Sequence, residues 1–594
     1  MVRVHKYRKL ATILFGLTML SSSSAQDELQ VRKEPPALTA ENPQRTQYQI
    51  SLELDFDNRS YTGAERLRWF NQADRSASVL YFHLYSNLRV DSNSSSAGLE
   101  PDEPRLEITR VRSANTDMPL SFSLDDQGTT LRVNLREPVP AGEATEIEVR
   151  FRGSVPEIDA DETGLTTHVV KQISAALRAE REIRRPRDIN FRSRGVMLLS
   201  TFYPVLAVHD GEEWHRKLES SIGDFVFNDI ADYEVSIEVT PGVSIFTSGF
   251  ERSKTGGVKE VSTFYGPGLR DFSILAGRNL RSEELDVGGK KIRSIFVAEH
   301  ERIGKRVLRI SADAARIFNA RFGPLPFDSV TIVEAPLVAG LGSTEFSAFN
   351  VIASAFYVDF DSPAMRSLPE IIREQRAAVE QSLEWTIAHL MAHQWWGVVV
   401  GSDPARDPVL DEALASWSAL LYYREVYGDE HATQVLRDEL TGVYRLYRTF
   451  GGEDMTANRP SREYRNSFQY EAIVTTKGAL MFVELRRMLG EERFFRALQN
   501  YYKSNMFEIV ELENLRAAFI AETPVEQRQA VTRTFTRWLA TKHGDEDVAR
   551  PDAELATTLG LPPKPGPQKS GDKGALTAFA KVGKFFWQQM TRIR

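Results

Sequence analysis

A chain of 594 residues, 42% hydrophobic and 26% charged, can bury several cores, so two to four domains are expected and wholesale disorder is excluded. The formal charge of −8 becomes −12 once Arg3, Lys6, Arg8 and Lys9 leave with a segment expected to be removed, which argues against a nucleic-acid partner. Cysteine is absent, which excludes disulfides, thiolate metal sites, a Cys nucleophile and a lipidated N-terminal Cys. Any metal must be held by His and carboxylates.

Residues 1–25 read as a signal peptide: a basic stretch, the apolar run Leu10 to Leu20, then small residues ending Ser23-Ser24-Ala25. Cleavage is expected after Ala25, with export to a periplasmic or extracellular compartment, since the apolar run falls short of the ~20 residues of a membrane span. Residues 26–45 read as a linker. Strand-like alternation follows at Tyr48, Ile50, Leu52, Leu54 and Phe56, at Leu131, Val133 and Leu135, at Ile147, Val149 and Phe151, and at Tyr233, Val235, Ile237 and Val239. These runs define a β-rich domain over 46–284. Within it, Lys171 to Arg194 carries eight basic residues against three acidic, the pattern of a solvated helix face.

From about residue 300 the period becomes helical. Ile303, Val307, Ile310, Ala314, Ile317 and Phe318 share one face, and the helix stops at Gly323-Pro324. Helical patterns continue through 370–400, 408–428 and 476–503 to a helix carrying Trp538, which makes 285–545 a second, mainly helical domain. Residues 546–573, with Leu561-Pro562-Pro563-Lys564-Pro565-Gly566-Pro567, read as a linker. Residues 574–594 read as a basic amphipathic helix, with Phe579, Val582, Phe586 and Trp587 expected on one side and Lys581, Lys584 and Arg592 on the other. Such a helix suits peripheral contact with a membrane surface or docking on its own domain.

The chemistry gathers at His389-Leu390-Met391-Ala392-His393. Two His four apart on a helix differ by about 40° around its axis, so both imidazoles can face one ion. The pair alone fits a hydrogen-bonded core feature as well as a ligand pair. Glu412, nineteen positions further on, supplies the carboxylate that completes a three-ligand zinc set with one position open.

The stretch Ala388-His389-Leu390-Met391-Ala392-His393-Gln394-Trp395-Trp396-Gly397 resembles the A-H-E-L-A-H-Q-W-F-G zinc helix of the membrane alanyl aminopeptidase (aminopeptidase N-like) gluzincin metallopeptidases. Asp411-Glu412-Ala413-Leu414-Ala415 is similar to that family's N-E-G-F-A, Gly342-Ser343-Thr344-Glu345-Phe346 to its G-A-M-E-N, and Thr475-Thr476-Lys477-Gly478-Ala479 to its Y-x-K-G-A. Phe202-Tyr203-Pro204 and Gly223-Asp224 resemble segments of its N-terminal domain. The resemblance covers roughly 45–545 and implies a β-sandwich-like domain followed by a thermolysin-like, mainly helical domain. It also implies one zinc ion on His389, His393 and Glu412, and Glu345 as the partner of a peptide's free amine.

Three positions depart from that pattern. Leu390 stands where the family has the Glu that moves a proton, a contribution of about 10²–10⁴ in rate. Thr475 replaces the Tyr that steadies the oxyanion, worth about 10²–10³ more, and Phe346 replaces the Asn of the first subsite. Glu384 lies about 120° round the helix from Leu390 and should face elsewhere. Tyr470, five residues before Thr475, is the candidate substitute donor. The expected function is therefore an exported aminopeptidase homologue, weakly active or non-catalytic, that binds peptide N-termini or a protein partner through the old cleft. The alternatives are an active zinc aminopeptidase with a rearranged acid–base apparatus, and a scaffold that binds no peptide.

Deleting residues 574–594 is expected to leave the fold intact and to reduce partition onto anionic vesicles, with the salt dependence of three or four basic groups. Vesicle sedimentation of the full and shortened chains checks this; equal partition would assign the segment to packing on its own protein.

Overall fold

The computed structural model describes residues 42–89, 103–177, 181–219, 221–363 and 376–559, together with Met365 and Arg373. The expected signal peptide, most of the first linker and the 574–594 helix lie outside the described residues. No helix among the described residues is long and apolar enough to cross a membrane.

The β-rich region is built on a seven-stranded sheet. Its order is Phe250–Thr255, Glu260–Leu269, Ala231–Val239, Thr46–Asp55, Ser60–Phe70, Ala144–Ser154, Arg105–Ser113. Thr46–Asp55 runs parallel to Ala231–Val239, with Ile50 opposite Val235, and antiparallel to Ser60–Phe70. The period-2 residues Ile50, Leu52, Leu54, Val235 and Ile237 are at most 2% exposed, so the alternation in the sequence marks the inner face. Two four-stranded sheets complete the β-sandwich-like body. One contains Ala77–His83 and Thr130–Val139, and the other Ile274–Gly277 and Val196–Leu199.

The second region starts at a five-stranded sheet of order Leu280–Val287, Lys290–Val297, Ser329–Ala335, Phe349–Ala353, Ser343–Phe346, so its first strand begins a few residues ahead of the expected 285. The three middle strands are parallel and the two edges antiparallel. Helix Glu301–Arg321 buries Ile303, Val307, Ile310, Ala314 and Phe318 as its 3.6-residue period requires, with Ile317 only partly covered. It ends where Gly323 takes φ +132° ahead of Pro324. Helices Arg376–His393 and Val409–Tyr427 are buried on nearly every face, which is why their periodicity is weak.

Two segments differ from the sequence reading. The basic stretch 171–194 is not one solvated helix face: helix Leu165–Leu177 ends early in it. Arg185, Arg187 and Arg192 then pair with Glu103, Glu162 and Glu157 as the chain returns to strand Asn190–Ser193. Carboxylates far away in sequence collect these cations. The chain also stays folded past 546. Ala549 and Leu559 are buried, helix Ala553–Leu559 forms, and Asp552 N donates to Thr449 Oγ1 at 2.9 Å. Apolar contact with the helical domain holds this stretch.

His83, 2% exposed on its strand, has its pKa pushed down to about 4 by burial. The folded imidazole stays neutral where the unfolded one, near 6.5, binds a proton, so stability should fall as pH drops from 6.5 towards 4 and level off below. The expected loss is about 3 kcal/mol. Urea unfolding from pH 7 to 4 of the natural protein and of His83→Gln should show a shallower pH slope in the variant.

Candidate metal centre

His389 and His393 lie one turn apart on the last turns of helix Arg376–His393, and Glu412 projects from the first turn of Val409–Tyr427. The two Nε2 atoms are 3.0 Å apart, and Glu412 Oε2 is 3.4 Å from His389 Nε2 and 3.9 Å from His393 Nε2. Tetrahedral ligands held about 2.0–2.2 Å from zinc are separated by about 3.3–3.6 Å, within this range. The donor set fits one zinc ion.

Each ligand is oriented from behind. His393 Nδ1 lies 3.2 Å from Trp396 O, so that nitrogen carries the hydrogen and Nε2 is free to ligate. Ser416 Oγ lies 3.3 Å from His389 Nδ1, and the Tyr470 hydroxyl donates to Glu412 Oε1 at 3.3 Å. The helix is tied to the strand that carries Glu345 through Gln394, which accepts from Ala348 N at 2.8 Å and donates to Phe346 O and Asn350 Oδ1. The turn behind His393 needs Gly397: its φ is +104°, and a Cβ there would meet Asp411 Oδ2 and His393 Nδ1.

Glu345 lines the same cleft, with Oε1 3.4 Å from His393 Nδ1 and its carboxyl hydrogen-bonded to that of Asp224. Burial first, then the charges of Asp224 and Glu412, push the Glu345 pKa well up. Burial likewise lifts Asp411 to about 7 and raises Glu412. These carboxylates resist ionisation unless a cation joins them, and both a dication and an ammonium meet that need.

The other expected residues divide. Leu390 is 1% exposed, packed in the hydrophobic core and absent from the cleft lining. Thr475 lines the cleft but donates its hydroxyl to Glu471 O at 2.5 Å. Phe346 is buried at the wall of an inner cavity of about 80 Å³ beside His393 and Asp224. Tyr470 reaches the cleft because 471–477 is a π-helix, whose i→i+5 bonding brings residues five apart to one side. Gly223 leaves it room, since a Cβ there would stand 2.8 Å from the Tyr470 hydroxyl. Glu384 accepts from Tyr422 and Tyr427 hydroxyls and lines neither the cleft nor the inner cavity. Sequence reasoning missed Asp224 and Arg184 as cleft residues; Gly223-Asp224 stood out only as a fold segment.

A thermolysin-like helical domain following a β-sandwich-like one, with His, His and Glu set for one zinc ion, gives the chain the two-domain fold and metal-donor set of the gluzincin-type zinc metallopeptidases. Residues 368–538 match the model of the peptidase family M1 domain. The comparisons support the resemblance to aminopeptidase N-like gluzincins read from the motifs. Aminopeptidase M1-B of rice is 24% identical over 255 residues, 42% of this chain and 27% of that protein. Rat aminopeptidase N is 25% identical over 205 residues, 30% of this chain and 20% of that one. The matched stretch thus spans only about a quarter of the relatives' own length. The M1 zinc metallopeptidase of Deinococcus radiodurans shares the fold at TM-score 0.55 and 16% identity, covering 82% of this chain and 93% of that one. A mutant of it was solved bound to a Tyr-Ser-Ala substrate, with TM-score 0.52.

The natural protein is expected to retain one zinc per chain after dialysis, and Glu412→Ala to lose it. Tyr470→Phe should weaken zinc about 10-fold or more by freeing the ligand carboxylate. Elemental analysis and chelator competition check both; zinc content unchanged by Glu412→Ala would refute the assignment.

Proposed function

We propose that this chain is an exported M1 metallopeptidase homologue, weakly active or non-catalytic, that keeps its zinc and binds peptide N-termini through the former substrate cleft. The observation that carries this reading is a separation of roles among the side chains. The three metal donors and Glu345 line one cleft, while Leu390 is packed into the core and offers no group that can hold a proton.

The chain's own residues support binding more than turnover. Glu345 beside Asp224 forms a carboxylate pair suited to a protonated amine. The neighbour solved with Tyr-Ser-Ala is consistent with a peptide N-terminus as the ligand. Zinc, when bound, supplies Lewis acidity to the cleft. Thr475 has turned its hydroxyl to Glu471 O, so it contributes no donor towards a developing oxyanion. Phe346 closes the wall where an Asn would offer an amide. Export rests on the pattern of residues 1–25.

One observation favours the active alternative: the Tyr470 hydroxyl already lies in the cleft, beside Glu412. Steady-state assays with aminoacyl reporter substrates decide between the two. The natural protein is expected to fall far below an ordinary kcat of about 1–10³ s⁻¹, and reaching that range would overturn the proposal. Leu390→Glu alone should add little. Leu390→Glu with Thr475→Tyr should exceed the product of the single effects, because such residues act as a unit. Glu345→Ala should then abolish the gain.

A further inference from the structure

Between strands Ala144–Ser154 and Asn190–Ser193 the chain makes an excursion from the β-region: helix Leu165–Leu177, then a return through residues 181–188. Both runs lie over the metal cleft. Leu165, His168, Val169 and Gln172 of the helix and Arg184 of the return share its lining with the three metal donors.

The cover is fastened on two rims. On one, His168 Nε2 lies 3.2 Å from Leu337 O, Ala339 N donates to Glu162 O at 2.9 Å, and Arg184 Nη1 donates to Gly340 O at 3.2 Å. On the other, Asn466 Nδ2 donates to Ala175 O and Glu182 N to Arg465 O, at 2.8 and 2.7 Å. Glu182 Oε2 there accepts from Ser467 N and Oγ, at 2.7 and 2.8 Å. What remains beneath is a cavity of about 120 Å³ at the metal donors, continuous in its lining residues with the inner one of about 80 Å³. With its cover hydrogen-bonded on both rims, this space suits a small molecule rather than a polypeptide passing through.

The charges under this cover are two-sided. Asp224, Glu345, Glu412 and Glu471 supply carboxylates, and among the described lining residues Arg184 is the one guanidinium. It lines both the cleft at the metal donors and the inner cavity, as Asp224 and Glu345 do. A guanidinium has five N–H donors in a planar fork, so the bond to Gly340 O leaves it able to grip a carboxylate.

Resting on the N-terminus-binding reading above, we propose that Arg184 receives the carboxylate of a short zwitterionic ligand whose ammonium sits at Asp224 and Glu345. The cleft then selects free dipeptides and amino acids over the ends of long chains. The pinned cover sets the length, and Arg184 sets the demand for a free carboxylate.

Calorimetry on the zinc-loaded full chain tests this with Leu-Gly, Leu-Gly amide, N-acetyl-Leu-Gly and a decapeptide beginning Leu-Gly. Leu-Gly should bind, and its amide on the order of ten- to a hundred-fold more weakly, as expected for a lost charge-assisted contact. The decapeptide should bind no better than the amide. Arg184→Gln should bring Leu-Gly to the amide's affinity while leaving the amide unchanged, and Arg184→Lys should keep part of the difference. Amide or decapeptide binding by the natural protein as tight as Leu-Gly would overturn the role of Arg184 while leaving the N-terminus reading in place. N-acetyl-Leu-Gly binding as tight as Leu-Gly, or no binding by any of the four, would overturn both. The ligand series on the unaltered protein decides the matter even where an Arg184 variant fails to fold.

Discussion

Asp224, Glu345, Asp411 and Glu412 crowd two histidines in a largely buried cleft, and the arrangement of the whole cleft follows from how that negative charge is met. In a medium of reduced dielectric, like charges this close cannot all stay ionised without a partner. The chain supplies partial answers: the Tyr470 hydroxyl on Glu412, the Asp411 carboxylate accepting the Glu412 backbone N–H at 2.8 Å, and the cation of Arg184. None of these neutralises the cluster. A dication on the three donors and an ammonium on the Asp224–Glu345 side would complete it from two directions, which makes metal and ligand two halves of one electrostatic solution.

That solution depends on donors that do not drift. The metal helix is held by Trp395 Nε1 to Gly323 O at 2.8 Å and by Trp396 Nε1 to Ser418 Oγ at 3.1 Å, both rings being at most 1% exposed. The turn behind it is clamped from the β-region by Arg270. Its buried guanidinium donates to Val398 O at 2.7 Å, Glu508 O at 2.8 Å and Asn228 O at 3.3 Å. A fully buried cation is tolerated here because three carbonyls share it. The two regions are thereby joined at the residues that position His393, so the cleft forms where they meet.

Much of this was legible in the sequence, for reasons that can be named. Ile50, Leu52 and Leu54 alternate because one sheet face is buried, and Ile303 to Phe318 recur at 3.6 because one helix face is. His389, His393 and Glu412 stood out because a local spacing of four and one carboxylate on the next helix carry the chemistry by themselves. What stayed hidden depends on contacts distant in the chain. Asp224 meets Glu345 across 121 residues of sequence, and Arg184 reaches Gly340 across 156. Arg185, Arg187 and Arg192 of the stretch 171–194 read as part of a solvated face because their acidic partners lie elsewhere in the sequence. The π-helix at 471–477 has no compositional signature, so the approach of Tyr470 to Glu412 was visible only as an option.

The same electrostatics separates a metal-bearing scaffold from a ligand-binding protein. Three donors can be kept for stability alone, since an ion bound only by the folded state stabilises it by about 4 kcal/mol at a thousand times its dissociation constant. Loss of a proton-moving group at position 390 costs the fold nothing; an isobutyl side chain packs there with 1% exposure. Glu345 is different. It is no metal ligand, its ionisation is opposed by burial and by Asp224, and Gln in its place would remove that opposition while keeping the side chain's shape. A scaffold has no use for a carboxylate pair that raises its own free energy. A cleft that receives an ammonium does, because the desolvated pair gives a strong, directional site only when the amine is present.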